Sequence, residues 1–457
     1  MTSDALGHRA SAGRVHDILG VGFGPSNLAL AIAIDEHNNT SKTIAPFDAA
    51  FVEKQDRFGW HRGMLIDDAT MQVSFLKDLV TMRDPTSAHS FVAYLHQHGR
   101  LVDFMNHKTL FPLRVEFHDY LEWAARRMSH LVDYGREVVD VEPVREDGVV
   151  TAFDVTIRQQ GREHVRRARN LVLAAGLELR MPPGVERSER VWHNRDFLAR
   201  VEALPDDARP HRFVVVGAGQ SAAEVTGYLH RTFPEAEVCA VFSRYGYSPA
   251  DDSPFANRIF DPEAVDSYYS SPPAVKQMLL DYHRNTNYSV VDADLIEDLY
   301  RRAYQEKVTG RERLHIHHAC RLLDIRDDRE DRSIRMTIES LTSGERTMLE
   351  ADALIFATGY RPVCPLGLLG SSRSLCATDD TGMVCIGRDY RVETTCEMPA
   401  GIYLQGATEH THGIGSTLLS NTAVRAGEIL ESILRHLRAT GNGTGVLEHL
   451  LAAAKQP

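Results

Sequence analysis

Residues 15–27 read Val15-His-Asp-Ile-Leu-Gly-Val21-Gly22-Phe-Gly24-Pro-Ser-Asn27. The first seven form a buried strand, and Gly22 to Asn27 form a glycine-rich turn. A helix apolar on nearly every face follows from Leu28 to Ile34, then a second strand from Ala49 to Glu53. Strand, turn, helix, strand is one βαβ unit. Its turn has the chemistry to receive a dinucleotide. Gly22 permits the tight turn, Gly24 lets backbone approach a pyrophosphate, and the helix N-terminus meets the phosphates with unpaired N–H groups. Asn27 stands where a third glycine is usual. Glu53 ends the second strand, where a carboxylate accepts hydrogen bonds from ribose hydroxyls.

The unit recurs about 195 residues on. His211 to Val216 is a strand rich in β-branched residues, Gly217-x-Gly219-x-x-Ala222 is the turn, Ala223 to His230 is a helix and Val238 to Phe242 is the closing strand. This strand runs into Ser243 and Arg244 where the first unit has Glu53. A carboxylate repels the 2′-phosphate of NADPH, whereas a hydroxyl and a guanidinium favour it. The first turn therefore suits FAD and the second suits NADP, with a solvated surface cation as the other reading of Arg244. One flavin with one nicotinamide makes hydride transfer the natural first step. A hydrophobic strand ending in Ala-Thr-Gly, within Asp352 to Tyr360, and a shorter echo at Leu171 to Gly176 accompany the two units.

Working outward, 457 residues exceed the roughly 250–300 that one core supports, so two or more domains are expected, joined near Leu204 to Arg212. With 43% hydrophobic and 25% charged residues the composition is that of an ordinary globular chain. A net charge of −12 argues against a nucleic-acid or anionic-membrane partner. The six cysteines contain no CxxC, which predicts reduced thiols in a cytoplasmic protein and excludes a disulfide reductase. No apolar run approaches a membrane span, and the polar stretch Met1 to Asp17 lacks the apolar core of a signal peptide. After Ala439 a flexible tail with a short helix is expected. The cluster His315-Ile-His-His318 alternates across a strand and cannot converge on a metal; neither a metal nor a catalytic triad is predicted.

Five longer segments narrow the class: Phe58-Gly-Trp-His61, Met71-Gln-Val-Ser-Phe-Leu-Lys-Asp78, Asp251-Asp-Ser-Pro-Phe-Ala-Asn257, Asn285-Thr-Asn-Tyr-Ser289 and His412-Gly-Ile-Gly-Ser-Thr-Leu-Leu-Ser420. Together, over about Val15 to Arg435, the chain resembles the microbial N-hydroxylating flavin monooxygenases, with the nearest likeness to L-ornithine N-monooxygenases of siderophore biosynthesis. The resemblance implies that NADPH reduces FAD, that reduced FAD and O2 give a C4a-hydroperoxide, and that the neutral side-chain amine of L-ornithine takes up the distal oxygen to give N5-hydroxyornithine. It also implies a homo-oligomer, tetramer or dimer.

Residue by residue, the resemblance makes Lys77 the partner of the substrate carboxylate, with Asn257 and Asn287 on the amino-acid head and Thr417 a hydroxyl in contact with substrate. Amides donate to a carboxylate and accept from an ammonium, although asparagines also serve simply as turn residues. Gln72 and Asn287 become the candidate catalytic residues beside the flavin and nicotinamide. Gly22, Gly24, Asn27, Glu53, Trp60, His61, Gln72, Val138, Ile414, Gly415 and Ser416 are expected at FAD. Gly217, Gly219, Gln220, Ser221, Ala222, Ser243, Arg244 and Asn287 are expected at NADPH. The family's NADP arginine aligns with Ser243, one position before Arg244, which leaves the 2′-phosphate contact open. At pH 8 removing a lysine-like proton costs roughly 3 kcal/mol, which a buried site lowers without a dedicated base.

The expected class is α/β, with two Rossmann-like dinucleotide-binding domains for FAD and NADPH and a smaller substrate-binding segment. The FAD-binding domain takes residues 14–205 and 350–440, the NADPH-binding domain 206–245 and 310–349, and the substrate-binding segment 246–309. The same chemistry on L-lysine or on a diamine such as putrescine is the nearest alternative. Oxidation of sulfides or ketones, and a flavin-binding partner without turnover, lie further off.

Overall fold

The computed structural model describes residues 14–40, 46–205, 207–327 and 333–439. The flexible tail expected after Ala439, and most of the polar N-terminal stretch, lie outside the described residues. The strand read at Val15 to Val21 spans Val15–Val21, and the helix after it runs Pro25–Thr40. Its residues from Asn27 to Ile34 are all buried, as an all-round apolar helix requires.

The first sheet has seven strands. Val15–Val21 lies between Ala49–Val52 and Arg162–Leu173, parallel to both. The long strand Arg162–Leu173 changes partner along one edge. Its first part pairs antiparallel with Val149–Gln159, and Asn170 to Leu173 pair in parallel with Gly401–Leu404. Glu137–Glu146 and Val132–Asp133 complete the sheet. The second sheet is wholly parallel, in the order Leu314–His317, Glu237–Val241, Arg212–Val216, Ala353–Phe356, Val191–His193. A three-stranded antiparallel sheet packs beside it, made of Cys320–Arg326, Ile334–Ser340 and Arg346–Ala351.

Pairing puts two strands where the sequence reading did not. Val191–His193 and Ala353–Phe356 fell inside the expected FAD spans 14–205 and 350–440, yet both pair within the second sheet. A four-residue strand buried on both faces carries no record of which sheet it joins. The chain crosses between the sheets at Leu177–Leu179 and Tyr360–Pro362, and these two crossings pair with each other antiparallel. The span 246–309 likewise ends in the helix Ala293–Thr309, whose Leu295 and Leu299 approach Gly227 of the helix Gln220–Thr232. It is the crossover into the parallel strand Leu314–His317.

The His315 to His318 stretch forms that outer strand and its end. Among the described residues no group of three or more histidine, cysteine or acidic side chains is arranged to hold a metal, and no helix is long and apolar enough to cross a membrane.

Candidate active site

Each glycine turn is forced by a close approach. A Cβ on Gly22, whose φ is +85°, would stand 2.4 Å from the Ala174 carbonyl oxygen; one on Gly217 would stand 2.3 Å from that of Ala357. Gly24 faces open space, with nothing within 4 Å of a Cβ there. That is the cradle a pyrophosphate needs above a helix N-terminus. Glu53 is buried and spends one carboxylate oxygen on the Phe23 N–H (2.7 Å) and the other on the Gln55 N–H (2.8 Å). The free lone pairs of the same carboxylate remain for a ribose.

Asn27 is fully buried beneath the turn. Its amide donates to the Gly22 carbonyl at 2.7 Å and accepts from Gln405 Nε2 at 3.0 Å. It clips the turn from below, with both ends of its amide engaged by the protein. Ala222 is also wholly buried, in the core of the second unit, where a small residue lets helix and strand pack. Val138 belongs to the core of the first sheet. Ile414, Gly415 and Ser416 are buried too, with Ser416 Oγ donating to the Gly413 carbonyl at 2.7 Å. These residues build walls, and their side chains do not line the main cleft.

That cleft, of about 3680 Å³, takes in the second glycine turn, while Gly22, Gly24 and Glu53 are not among its lining residues. Trp60, His61, Gln72, Lys77, Gly217, Gly219, Gln220, Ser221, Ser243, Arg244, Asn257, Asn287 and Thr417 all line it. The structure thus gathers on one surface residues that the chain spreads over more than 350 positions. Lys77 is half-buried on a loop, its Nζ 5.6 Å from the Phe260 ring centre. Burial lowers its pKa, with Asp261 opposing. No carboxylate among the described residues pairs with it. Asn257 sits in the helical turn Ala256–Phe260, and its amide donates to the Asp252 carbonyl at 2.8 Å, leaving its own carbonyl oxygen unspent. The Asn287 side chain makes no hydrogen bond among the described residues.

The loop carrying Asn287 lies over the second glycine turn. A Cβ on Gly219 would stand 3.4 Å from Ser289 Cα, and Arg244 Nη1 donates to the Ser289 carbonyl at 2.8 Å. Ser289 holds a left-handed φ of 57°. Tyr288, from the same loop, donates to the Glu409 carboxylate, and burial first, then Glu409, raise its pKa. Elsewhere in the cleft, the Trp60 and His61 rings meet edge to face at 4.6 Å, and His61 also meets Tyr360 of the crossing strand at 6.1 Å. The surrounding protein, with Arg114 and His118, pushes the His61 imidazole down to about 4.

Among the residues of this region that escaped the sequence reading are Arg425 and Asn421. Arg425 is only 1% exposed. It donates to Ser26 Oγ (3.2 Å), Gln405 Oε1 (3.4 Å) and the Ser416 carbonyl, tying the first helix to the C-terminal segment. Its signal was a lone cation on the buried stripe Ala423, Ala426, Ile429, Leu430, Ile433. Asn421 is 2% exposed with both amide atoms unpartnered. A Cβ on Gly415 would stand 2.9 Å from its Nδ2, so this unspent amide adjoins the segment expected at the flavin.

Comparison with known proteins agrees with this geometry. The model of the L-lysine 6-monooxygenase/L-ornithine 5-monooxygenase family matches residues 14–362. An L-ornithine N(5)-monooxygenase of Pseudomonas aeruginosa is 39% identical over 446 residues, covering 96% of this chain and 98% of its own. The solved ornithine N-hydroxylase KtzI of Kutzneria sp. 744, with reduced FAD, NADP+ and L-ornithine, superposes with a TM-score of 0.87 at 45% identity, over 92% of this chain and 99% of that one. The L-lysine 6-monooxygenase of Pseudomonas syringae gives a TM-score of 0.80 at 31% identity, over 92% and 100%. With the match running through both glycine turns and nearly all of two relatives covered, the chain belongs to the L-lysine 6-monooxygenase/L-ornithine 5-monooxygenase family.

Proposed function

We propose that this protein hydroxylates the side-chain amine of L-ornithine at N5, consuming NADPH and O2 on FAD, for a siderophore or related natural product. The observation that carries this reading is Lys77: a half-buried cation without an acidic partner, in the same cleft as Asn257, Asn287 and the second glycine turn. An α-amino acid supplies the missing carboxylate; a diamine does not.

FAD, when bound and reduced, supplies the activated oxygen. The chain's residues do the rest. Gly22, Gly24 and Glu53 hold its pyrophosphate and ribose, with Trp60, His61 and the segment Ile414 to Ser416 around the ring and Val138 offering backbone. Gly217, Gly219, Gln220 and Ser221 hold NADPH, with Ser243 and Arg244 at the 2′-phosphate. Lys77 binds the substrate carboxylate, Asn257 and Asn287 orient the head, and Thr417 closes the pocket beside Tyr288. Gln72 presents a polar amide where the reacting groups meet. The dehydration that lowers Lys77 also favours the neutral form of the attacking amine.

L-Lysine is the nearest competing substrate, since one methylene is worth only about 1–3 kcal/mol in a pocket. The higher identity to ornithine enzymes, 39–45% against 31% for the lysine enzyme, favours ornithine. Residence in the cytoplasm and assembly as a homo-oligomer, tetramer or dimer, belong to the same reading. Purified protein given NADPH and O2 is expected to form hydroxylamine with ornithine; equal product from lysine would overturn the substrate assignment.

A further inference from the structure

Asp292 stands at the N-cap of the helix Ala293–Thr309, yet its side chain makes no capping bond. Aspartate at that position ordinarily accepts from the N–H groups of the first turn. Here Asp292 Oδ2 instead accepts from Gln72 Nε2 at 3.3 Å and from Gln220 Nε2 at 2.9 Å, while its backbone N–H donates to Gln220 Oε1 at 2.8 Å. Gln72 comes from the flavin side of the cleft, Gln220 from the second glycine turn, and Asp292 from the end of the loop that carries Asn287.

The contacts continue. Gln220 Nε2 also donates to Glu224 Oε1 at 3.0 Å, and Glu224 takes a two-pronged grip from Arg114 at 2.6 and 2.8 Å. Arg114 in turn donates to the carbonyls of Met64 and Thr70, on the segment leading into Gln72. The polar chain closes on itself across the two nucleotide-binding units. Such a loop of charge-assisted bonds holds geometry better than any one of its members.

We propose that Asp292 is a positioning residue for the hydroxylation reaction: it fixes the Gln72 amide with its NH2 group engaged and its carbonyl oxygen turned to the cleft as an acceptor, and sets the NADPH turn at a fixed distance from it. Gln72 Oε1 has no partner among the described residues, so it accepts an N–H from the nicotinamide carboxamide or from the substrate amine. Burial, with the Glu224 charge adding, raises the Asp292 pKa, while Gln72, Gln220 and Arg114 oppose. This inference rests on the hydroxylase reading for its activity arm, and its binding arm stands apart from that reading.

The experiment compares Asp292→Ser, Asp292→Asn, Gln72→Ala and the double variant Asp292→Ser/Gln72→Ala in the FAD-loaded enzyme. Serine keeps a good helix cap but cannot reach Gln72, so the thermal midpoint is expected to hold. Hydroxylated product per NADPH is expected to fall at least threefold, with the ornithine KM within twofold, and NADP+ is expected to bind several-fold more weakly by calorimetry. Asparagine offers one oxygen to both glutamines, as Oδ2 does now, and is expected to restore coupling. The double variant is expected to be no worse coupled than Gln72→Ala alone, because the residues act in series. Additive losses, or serine coupling like the parent, would overturn the proposal. Should the parent hydroxylate no amine, the hydroxylase reading fails, and unchanged NADP+ affinity in Asp292→Ser would separately refute the strut.

Discussion

Replacing Lys77 by methionine removes one charge and little else. Methionine has nearly the same length, so the stem still covers Phe260, which Lys77 Nζ approaches at 5.6 Å from the ring centre. Under the proposed function that charge meets the substrate carboxylate, because no acid among the described residues forms an ion pair with it. Truncating one partner of a desolvated charge pair costs about 2–5 kcal/mol. Lys77 is only half-buried, so solvent screening favours the lower end, about 2–3 kcal/mol. At 1.4 kcal/mol per decade this is a fall of roughly 30- to 150-fold in kcat/KM for ornithine. Putrescine has no carboxylate and should change by less than about threefold in the same variant. The parent enzyme should prefer ornithine over putrescine by about the factor that Lys77→Met loses. The assay is hydroxylamine formation against substrate concentration, with flavin content measured in each preparation. An equal loss on both substrates would refute the reasoning and make Lys77 a structural residue.

Gly24 faces open space, so Gly24→Val should fold with an unchanged apoprotein melting point yet lose FAD at least tenfold; flavin absorbance after dialysis checks this, and retained FAD would remove the first turn from the site. His412 is buried, stacked on Tyr390 at 4.2 Å, with a pKa pushed down by burial to about 4. The unfolded chain therefore binds the proton first as pH falls below about 6.5. The stability from keeping His412 neutral is whole above that value and is lost toward pH 4, amounting to about 3 kcal/mol. The fall in thermal midpoint between pH 7 and 5 should be smaller in His412→Gln than in the parent, and an equal fall would refute the assignment.

Both nucleotide-binding units were legible because their signals are local. A buried strand, two glycines and an apolar helix lie within some twenty residues of each other, and Val15–Val21 begins and ends where the pattern says. Sheet membership was not legible at Ala353–Phe356, since a strand apolar on both faces fits either sheet, and only its register with Arg212–Val216 decides. At Asn27 the departure from glycine was visible but its reason was not: the amide reaches back to a carbonyl five residues earlier and out to Gln405. Gln72, Asp292, Gln220, Glu224 and Arg114 form one network across separations of up to 220 residues. Each is an ordinary polar residue in its own window, and tertiary contact alone joins them. Lys77, Asn257 and Asn287 entered through family likeness, and what the structure adds is their common cleft and a Lys77 that forms no ion pair among the described residues.

The central claim is the substrate. Ornithine, lysine, putrescine and a thioether given separately to the FAD-loaded enzyme, with hydroxylated product and NADPH consumption measured together, test it most directly. Product approaching one per NADPH is expected with ornithine, with at least tenfold less kcat/KM for lysine and putrescine, and no oxygenated thioether. Lysine hydroxylated as efficiently as ornithine, or NADPH consumed with no hydroxylamine from any amine, would contradict it.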